Sequence, residues 1–130
     1  MMDNKMICPE QFENVIENGV AVGFAFLGRL PYYRGLGLSM IEDIIVSADG
    51  EKIAREDVRL SVRGKTYTLD EMVTVYDDRW NFGEKARIIA LKPGGLTPGN
   101  HRIEFGVRMR ISYLPFVPTT KDSKELALAA

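Results

Sequence analysis

The stretch Arg102-Ile-Glu-Phe-Gly-Val-Arg-Met-Arg-Ile-Ser-Tyr113 decides the fold class, because apolar and polar side chains alternate along it. The apolar face consists of Ile103, Phe105, Val107, Met109, Ile111 and Tyr113, and the polar face of Arg102, Glu104, Arg108, Arg110 and Ser112. A period of two is typical of a β-strand that buries one face. Gly106 interrupts the polar face and predicts a bend or bulge that lets one long strand serve two sheets.

The segment 20–30 is a second predicted strand. Its large side chains, expected on one face, are Val20, Val22, Phe24 and Phe26. The opposite face carries only Ala21, Gly23 and Ala25, so another sheet or chain could approach it closely. Further strands are predicted over 40–48, 58–62, 66–69 and 85–91.

Turn residues separate these strands. Asp49-Gly50 lies between two apolar runs and predicts a hairpin with a type I′ turn. Arg55-Glu-Asp57 fits a single helical turn, and 70–78 fits either a helical turn or a strand. Residues 92–100 hold three Gly and two Pro, which indicates a turn region.

Short strands separated by turns at roughly 8–12-residue spacing favour an all-β fold, an antiparallel β-sandwich. An immunoglobulin-like or fibronectin-like sandwich is the first choice, and a jelly roll is the alternative. We expect one domain over residues 1–115. Residues 116–130 are expected to form an extended C-terminal tail, free or weakly helical from 124 onwards.

Composition excludes several classes of protein. The chain has 130 residues, a net charge of −1, one Cys and one His. One Cys cannot form an internal disulfide, and one His with one Cys cannot supply a structural zinc site. The neutral balance argues against a nucleic-acid binder. We therefore expect no catalytic residue and no metal site in this chain, and any enzymatic role requires a partner.

The N-terminal residues predict a cytoplasmic protein. Residues 1–19 contain no basic region followed by an apolar run, so no signal peptide is predicted. The apolar-leaning stretch 19–27 is much shorter than the roughly 20 residues that span a membrane. Cys8 is interpreted as a small apolar residue near the first strand.

The loop from Arg29 to Ser39 is the first candidate site. Four bulky residues occur in this Gly- and Pro-containing segment: Tyr32, Tyr33, Arg34 and Leu36. Tyr and Arg are enriched at interface hot spots, so the loop predicts a contact surface. The alternative is a plain crossover between strands.

Three other groups have weaker functional interpretations. Asp77 and Asp78 could bind a cation or act as acid and base, but adjacent residues on an extended chain point in opposite directions, so a turn is favoured. Trp80 and Phe82 could share one face, either in the core or at a pocket rim. His101 is interpreted as a strand-end residue rather than a catalytic one. A basic stripe on one sheet is a further possibility, formed by Arg102, Arg108 and Arg110, with or without Arg87. It is either a solvated face balanced by Glu104 or a surface for an acidic partner.

The run Arg29-Leu-Pro-Tyr-Tyr-Arg-Gly-Leu-Gly-Leu-Ser-Met-Ile-Glu-Asp43 resembles the β (small) subunit of bacterial C-glycoside deglycosidases. Other stretches agree in order and spacing: Asp49-Gly-Glu51, Gly64-Lys-Thr-Tyr-Thr-Leu-Asp-Glu71, Lys92-Pro-Gly-Gly-Leu-Thr-Pro-Gly-Asn-His101 and Arg108-Met-Arg-Ile-Ser-Tyr113. The resemblance covers residues 10–115.

The resemblance implies a hetero-oligomeric lyase. Its β-sandwich subunit pairs with a TIM-barrel α subunit similar to sugar isomerases and epimerases. The complex cleaves the carbon–carbon bond between a 3-oxo-glucosyl group and a flavonoid-type aglycone. The divalent metal, usually Mn²⁺, the general base and most contacts to the 3-oxo-C-glucoside belong to the partner.

Within this chain we expect residues at the subunit interface or pocket rim: Arg29, Pro31, Tyr32, Tyr33, Arg34, Leu36, Trp80 and Phe82. No membrane or nucleic-acid contact is expected. The alternative function is a non-enzymatic module, either an adaptor or a carbohydrate-binding sandwich that stacks sugars on Tyr32, Tyr33 and Trp80.

Overall fold

The computed structural model describes residues 6–29, 36–62, 64–72, 74–75, 78–80, 84–109 and 119–128. In chain order the strands are β1 (Ile7–Glu17), β2 (Val20–Arg29), β3 (Leu36–Gly37), β4 (Ile41–Ala48), β5 (Glu51–Lys52), β6 (Val58–Val62), β7 (Lys65–Thr68), β8 (Arg79–Trp80), β9 (Lys85–Leu91), β10 (Gly99–Met109) and β11 (Thr119–Leu128). A single helical turn, α1 (Leu69–Met72), follows β7.

The strands form two main antiparallel sheets. The five-stranded sheet has the order β1-β2-β9-β6-β7 and the four-stranded sheet the order β11-β10-β4-β5. A two-stranded ribbon joins β3 to β8. This arrangement confirms the predicted all-β architecture. The immunoglobulin-like or fibronectin-like connectivity stays a prediction.

The core lies between the two sheets. Phe26 from the five-stranded sheet packs edge-to-face on Phe105 from the four-stranded sheet, with ring centroids 5.4 Å apart. Alternating residues of β6, β9 and β10 complete this layer, and their side chains are buried. The period-two patterns therefore identified these strands because each has one face in the core.

Two tight hairpins have the backbone that a type I′ turn requires. Asp49 and Gly50, at the predicted hairpin between β4 and β5, have φ values of 52° and 85°. Asn18 and Gly19 connect β1 to β2 with φ values of 52° and 77°. Both pairs match the residue preference of this turn, but β1 and its hairpin were not among the predicted elements.

A bulge in β2 places Val22 on the opposite face from the one predicted. Val15 pairs with Gly23, but Ile16 pairs with Ala21, so Val22 is the extra residue. Val22 therefore lines the outer face of the sheet, and Val20 is 61% exposed. Phe24 and Phe26 keep the predicted inward orientation.

Two glycine positions also differ in role from the prediction. The ladder of β10 runs unbroken through Gly106, and its register shift lies at Arg108/Met109, so the predicted bulge at Gly106 is wrong. The small residue Gly23 serves close approach within its own sheet. A Cβ there would lie 2.1 Å from the carbonyl oxygen of Ala90 on β9.

The expected free or weakly helical end of the chain is instead an edge strand. β11 pairs with β10 over ten residues, from Gly99↔Leu128 to Arg108↔Thr119. Leu126 and Leu128 enter the core. Asp122 Oδ2 accepts a hydrogen bond from the Ile7 amide at 3.0 Å, and Lys124 Nζ donates to the Ile7 carbonyl at 2.7 Å. These two side chains join the edges of the two sheets.

The ambiguous segment after β7 begins as a helix. Thr68 and Glu71 form a reciprocal capping box: the Thr68 amide donates to Glu71 Oε1 at 2.7 Å, and the Glu71 amide donates to Thr68 Oγ1 at 3.1 Å. Arg55–Asp57 forms the predicted single turn, with 3₁₀ geometry.

Candidate functional site

The predicted interface residues fall only partly within the described chain. Pro31, Tyr32, Tyr33, Arg34 and Phe82 lie outside the described residues, as do Asp77 and Arg110. Arg29 ends β2, and Leu36 and Trp80 pair with each other across the β3–β8 ribbon. The interface role of these residues therefore stays a prediction.

The strands hold the described members at one end of the sandwich. Arg29 pairs with Lys85 at the start of β9. The indole Nε1 of Trp80 donates to the Glu84 carbonyl at 2.9 Å, next to that pair. The loop predicted to form the contact surface is thus flanked by β2 and β3, which pair with β9 and β8.

Trp80 occupies the core, which was one of its two predicted environments. Its side chain has 0% exposed surface, and its ring centroid lies 6.4 Å from that of Phe105. A pocket-rim contact by this indole would therefore require the surrounding chain to move. Arg29 differs from Trp80 in its hydrogen bonding. Its Nε is buried and has no hydrogen-bond partner among the described residues, whereas the Trp80 indole donates to the Glu84 carbonyl.

Asp78 has a structural role. The Tyr67 hydroxyl donates to Asp78 Oδ2 at 2.8 Å, and the Asp78 carbonyl accepts from the Leu38 amide at 3.1 Å. These bonds attach the ribbon to β7 and to the turn after β3. They agree with the turn interpretation of this acidic pair, as far as its described member is concerned.

His101 lies in a closed structural environment. The residue is 8% exposed, Nδ1 is 2.5 Å from Asp49 Oδ2, and Nε2 is 2.6 Å from the Thr97 carbonyl oxygen. The Asp49 carboxylate, together with the Thr97 carbonyl, raises the pKa of His101 above 6.5. The same hydrogen bond and the Arg102 amide lower the pKa of Asp49. The strand-end interpretation of His101 matches this geometry.

Arg87, the optional member of the predicted basic stripe, lies apart from its other described members. Arg102 and Arg108 belong to the four-stranded sheet, whereas Arg87 belongs to the five-stranded sheet and lies 3.5 Å from Glu13. Arg108 Nε is 3.9 Å from Glu42 Oε1. The described cations are thus divided between two faces and lie beside acidic groups, as the solvated-face interpretation expects.

The outer face of the five-stranded sheet carries a groove of about 650 Å³ that the sequence analysis missed. Its apolar floor is formed by Val15, Val22, Ile89 and Leu91. Arg59 and Arg87 lie at its rim, together with Asp57 and Glu17. The bulge places Val22 in this floor. Regular alternation would have placed Val22 in the core, so no sequence pattern indicated the groove.

The described residues contain no group of three His, Cys, Asp or Glu side chains that could hold a metal ion. Among the same residues, no helix is long and apolar enough to cross a membrane.

Residues 2–113 match the family model of the C-glycoside deglycosidase beta subunit. The chain belongs to the C-glycoside deglycosidase beta subunit family. The C-glycoside deglycosidase beta subunit of Eubacterium cellulosolvens is 34% identical over 88% of this chain and 78% of its own length. The 3′-dehydrocarminate deglycosidase beta subunit of a Microbacterium species is 37% identical over 72% of this chain and 70% of its own length.

Membership of the C-glycoside deglycosidase beta subunit family confirms the resemblance noted in the sequence. As a beta subunit of that enzyme, the chain is one part of an assembly that includes an alpha subunit. β11 lies beyond the matched residues, although it is part of the four-stranded sheet.

Proposed function

We propose that this chain is the non-catalytic small subunit of a lyase that cleaves the carbon–carbon bond of a 3-oxo-C-glucoside. The aglycone is of the flavonoid type, and the partner is a TIM-barrel subunit that holds the divalent metal, Mn²⁺, and the general base. Family membership supports this proposal. The name of the Microbacterium relative supports an oxidised sugar, because the prefix 3′-dehydro denotes oxidation at that position.

The chemistry requires a ketone next to the proton that is removed. A carbonyl at C3 acidifies the proton on C2, which a general base takes. The electron pair of that C–H bond forms the C1–C2 double bond, the bond from C1 to the aglycone breaks, and the aglycone carbon gains a proton. A bound metal would supply stabilisation of the enolate charge.

The environment of His101 is the observation that supports a non-catalytic role for this chain and a catalytic role for its partner. A general base or metal ligand needs an accessible ring nitrogen, but both nitrogens of this imidazole contact acceptors of the same chain at 2.5 and 2.6 Å. The donor set of the described residues does not fit a metal either. We assign the metal and the base to the partner, as the family resemblance implies, and derive no step through a metal on this chain.

The contribution of this chain is to stabilise the partner and close its pocket. The loop that contains Tyr32, Tyr33 and Arg34 is our candidate contact, because its flanking strands end at one pole of the sandwich. Large side chains with polar tips fit an interface. Exclusion of water strengthens the electrostatic stabilisation of an enolate.

Co-expression with the barrel subunit tests the proposal. We expect lyase activity on a 3-oxo-C-glucoside from the co-purified complex and none from this chain alone. The triple variant Tyr32→Ala, Tyr33→Ala, Arg34→Ala is expected to lose co-purification and activity.

The matched control is the triple variant Arg102→Ala, Glu104→Ala, Glu125→Ala, which changes three exposed residues on the outer face of the four-stranded sheet. It should assemble as the wild type does. Activity of the isolated chain would refute the non-catalytic role, and normal assembly of the tyrosine–arginine variant would refute this interface. Tight binding of the glucoside by the chain alone would favour the carbohydrate-binding alternative.

A further inference from the structure

His101 lies where three segments of the chain meet. Asp49 comes from the β4–β5 hairpin, Thr97 from the diglycine turn (residues 92–98), and His101 itself from the first part of β10. The diglycine turn is also tied to the hairpin, because Lys92 Nζ lies 2.5 Å from Glu51 Oε1. This cluster is at the end of β10 opposite to the predicted interface loop.

The two acceptors determine the protonation state that satisfies the ring. A neutral imidazole has one donor nitrogen and one acceptor nitrogen. Asp49 offers a carboxylate oxygen and Thr97 a carbonyl oxygen, so a neutral ring would place one lone pair against another at about 2.5 Å. Only the imidazolium, which has two donors, makes both bonds.

We propose that His101 is a pH-sensitive latch, which as the imidazolium holds the Thr97 end of the diglycine turn to the β4–β5 hairpin and releases that end when it loses its proton. The remaining proton stays on Nδ1, because a bond to a carboxylate is stronger than one to a neutral carbonyl. The contact between Nε2 and Thr97 is therefore the one that is lost. The hairpin stays attached, since Asp49 Oδ1 also accepts a hydrogen bond from the Arg102 amide at 2.9 Å.

The groups around the His101 ring indicate that its titration depends on the contact with Asp49. Among the described residues, the charged group that contacts the ring is Asp49. On β1 the ring meets the phenyl group of Phe12, with centroids 6.5 Å apart, and on β11 its cross-strand partner is Leu126. Of the charged residues near Asp49 and His101 in sequence, Glu51 of β5 pairs with Lys92, and Arg102 of β10 has Glu125 of β11 as its cross-strand partner.

The sign of the pH dependence follows from the raised pKa. Because the folded imidazole binds its proton more tightly than the unfolded one, the latch stabilises the fold fully below about pH 6.5. That contribution is lost as the pH rises through the pKa of the folded state. Every tenfold difference in proton affinity between the two states makes a tenfold difference in the folding equilibrium constant.

A proton NMR titration of the full chain tests the latch directly. The chain has one His, so the imidazole Cε1 proton gives a single histidine resonance. We expect a midpoint above 6.5, and faster amide hydrogen exchange in the diglycine turn as the pH passes it, after correction for the intrinsic pH dependence of exchange. Exchange at the Arg102 amide should change much less.

Asp49→Asn is the control, because Asn tolerates the positive φ of 52° at this position and can accept the Arg102 bond. The midpoint in this variant should fall towards 6.5. A wild-type midpoint at or below 6.5 would overturn the proposal, and so would equal acceleration of exchange at the Arg102 amide and in the turn. These measurements need no partner subunit, so they are independent of the proposed lyase function.

Discussion

The contact between Gly28 and Phe105 offers a quantitative test of the core. A Cβ at position 28 would lie 2.8 Å from Phe105 Cε2 and 3.1 Å from Ile88 Cγ1. Carbon atoms pack at roughly 3.5–4.0 Å, so Gly28→Ala forces the ring to move by roughly 0.7–1.2 Å. Phe105 is 1% exposed and packs on Phe26, so it has little room to move.

We expect Gly28→Ala to destabilise the fold by about 1–3 kcal/mol through overpacking. Phe105→Leu should cost about 2 kcal/mol, less than the roughly 3–5 kcal/mol of truncation to alanine. In the double variant the smaller side chain leaves room for the new methyl group. The double variant should therefore be more stable, by about 1–2 kcal/mol, than the sum of the single effects implies.

Urea unfolding at one pH, with the slope checked for each variant, measures the four corners of this cycle. Gly37→Ala is the matched control, because the nearest atom to its Cβ would be the Asp78 carbonyl oxygen at 3.9 Å and its φ is −62°. That variant should change stability by less than about 0.5 kcal/mol. Additivity of Gly28→Ala and Phe105→Leu within about 0.5 kcal/mol would refute the proposed clash.

Other contacts give further predictions. Asn14→Ala removes the two hydrogen bonds to the diglycine turn, each 2.9 Å long, and should cost about 1–3 kcal/mol in urea unfolding; Asn14→Asp keeps the acceptor and should lose less. Asp122→Ala should speed hydrogen exchange at the Ile7 amide by about tenfold, and an unchanged rate would contradict the edge contact. The Thr68 hydrogen bonds lower the pKa of Glu71 below 4.5. The NMR chemical shift of the Thr68 amide should therefore titrate below that pH, where protonation of Glu71 breaks the cap. In Glu71→Gln this amide shift should not titrate.

The sequence predicted those parts of the fold that depend on local chemistry. The Asp49-Gly50 hairpin and the strands β4, β6 and β9 were recognised from turn residues and alternation, which are properties of neighbouring positions. β1 was missed because its alternation is interrupted. Its register shifts between Cys8 and Glu13, and Gln11 has a φ of 61°. The Asn18-Gly19 pair that follows was a usable signal for this hairpin.

The remaining errors concern contacts between distant segments. β11 is mostly polar, and it is a strand because β10 offers it an edge and because Asp122 and Lys124 reach β1. His101 was correctly expected to be a satisfied strand-end residue. Its partner Asp49 is 52 positions away, a pairing that only the folded sheet establishes. The predicted tyrosine–arginine loop remains to be tested by assembly.

The bonds from Asp122 and Lys124 to Ile7 have a consequence for folding during synthesis. They join residues 115 and 117 positions apart. The Ile7 amide and carbonyl of β1 therefore lack these two bonds until the ribosome has released residues 122–124. Until then, β10 also lacks one of its two neighbouring strands. Exposed strand edges promote aggregation. A truncation just before β11 should consequently leave a chain that needs a chaperone far more than the chain with β11 does.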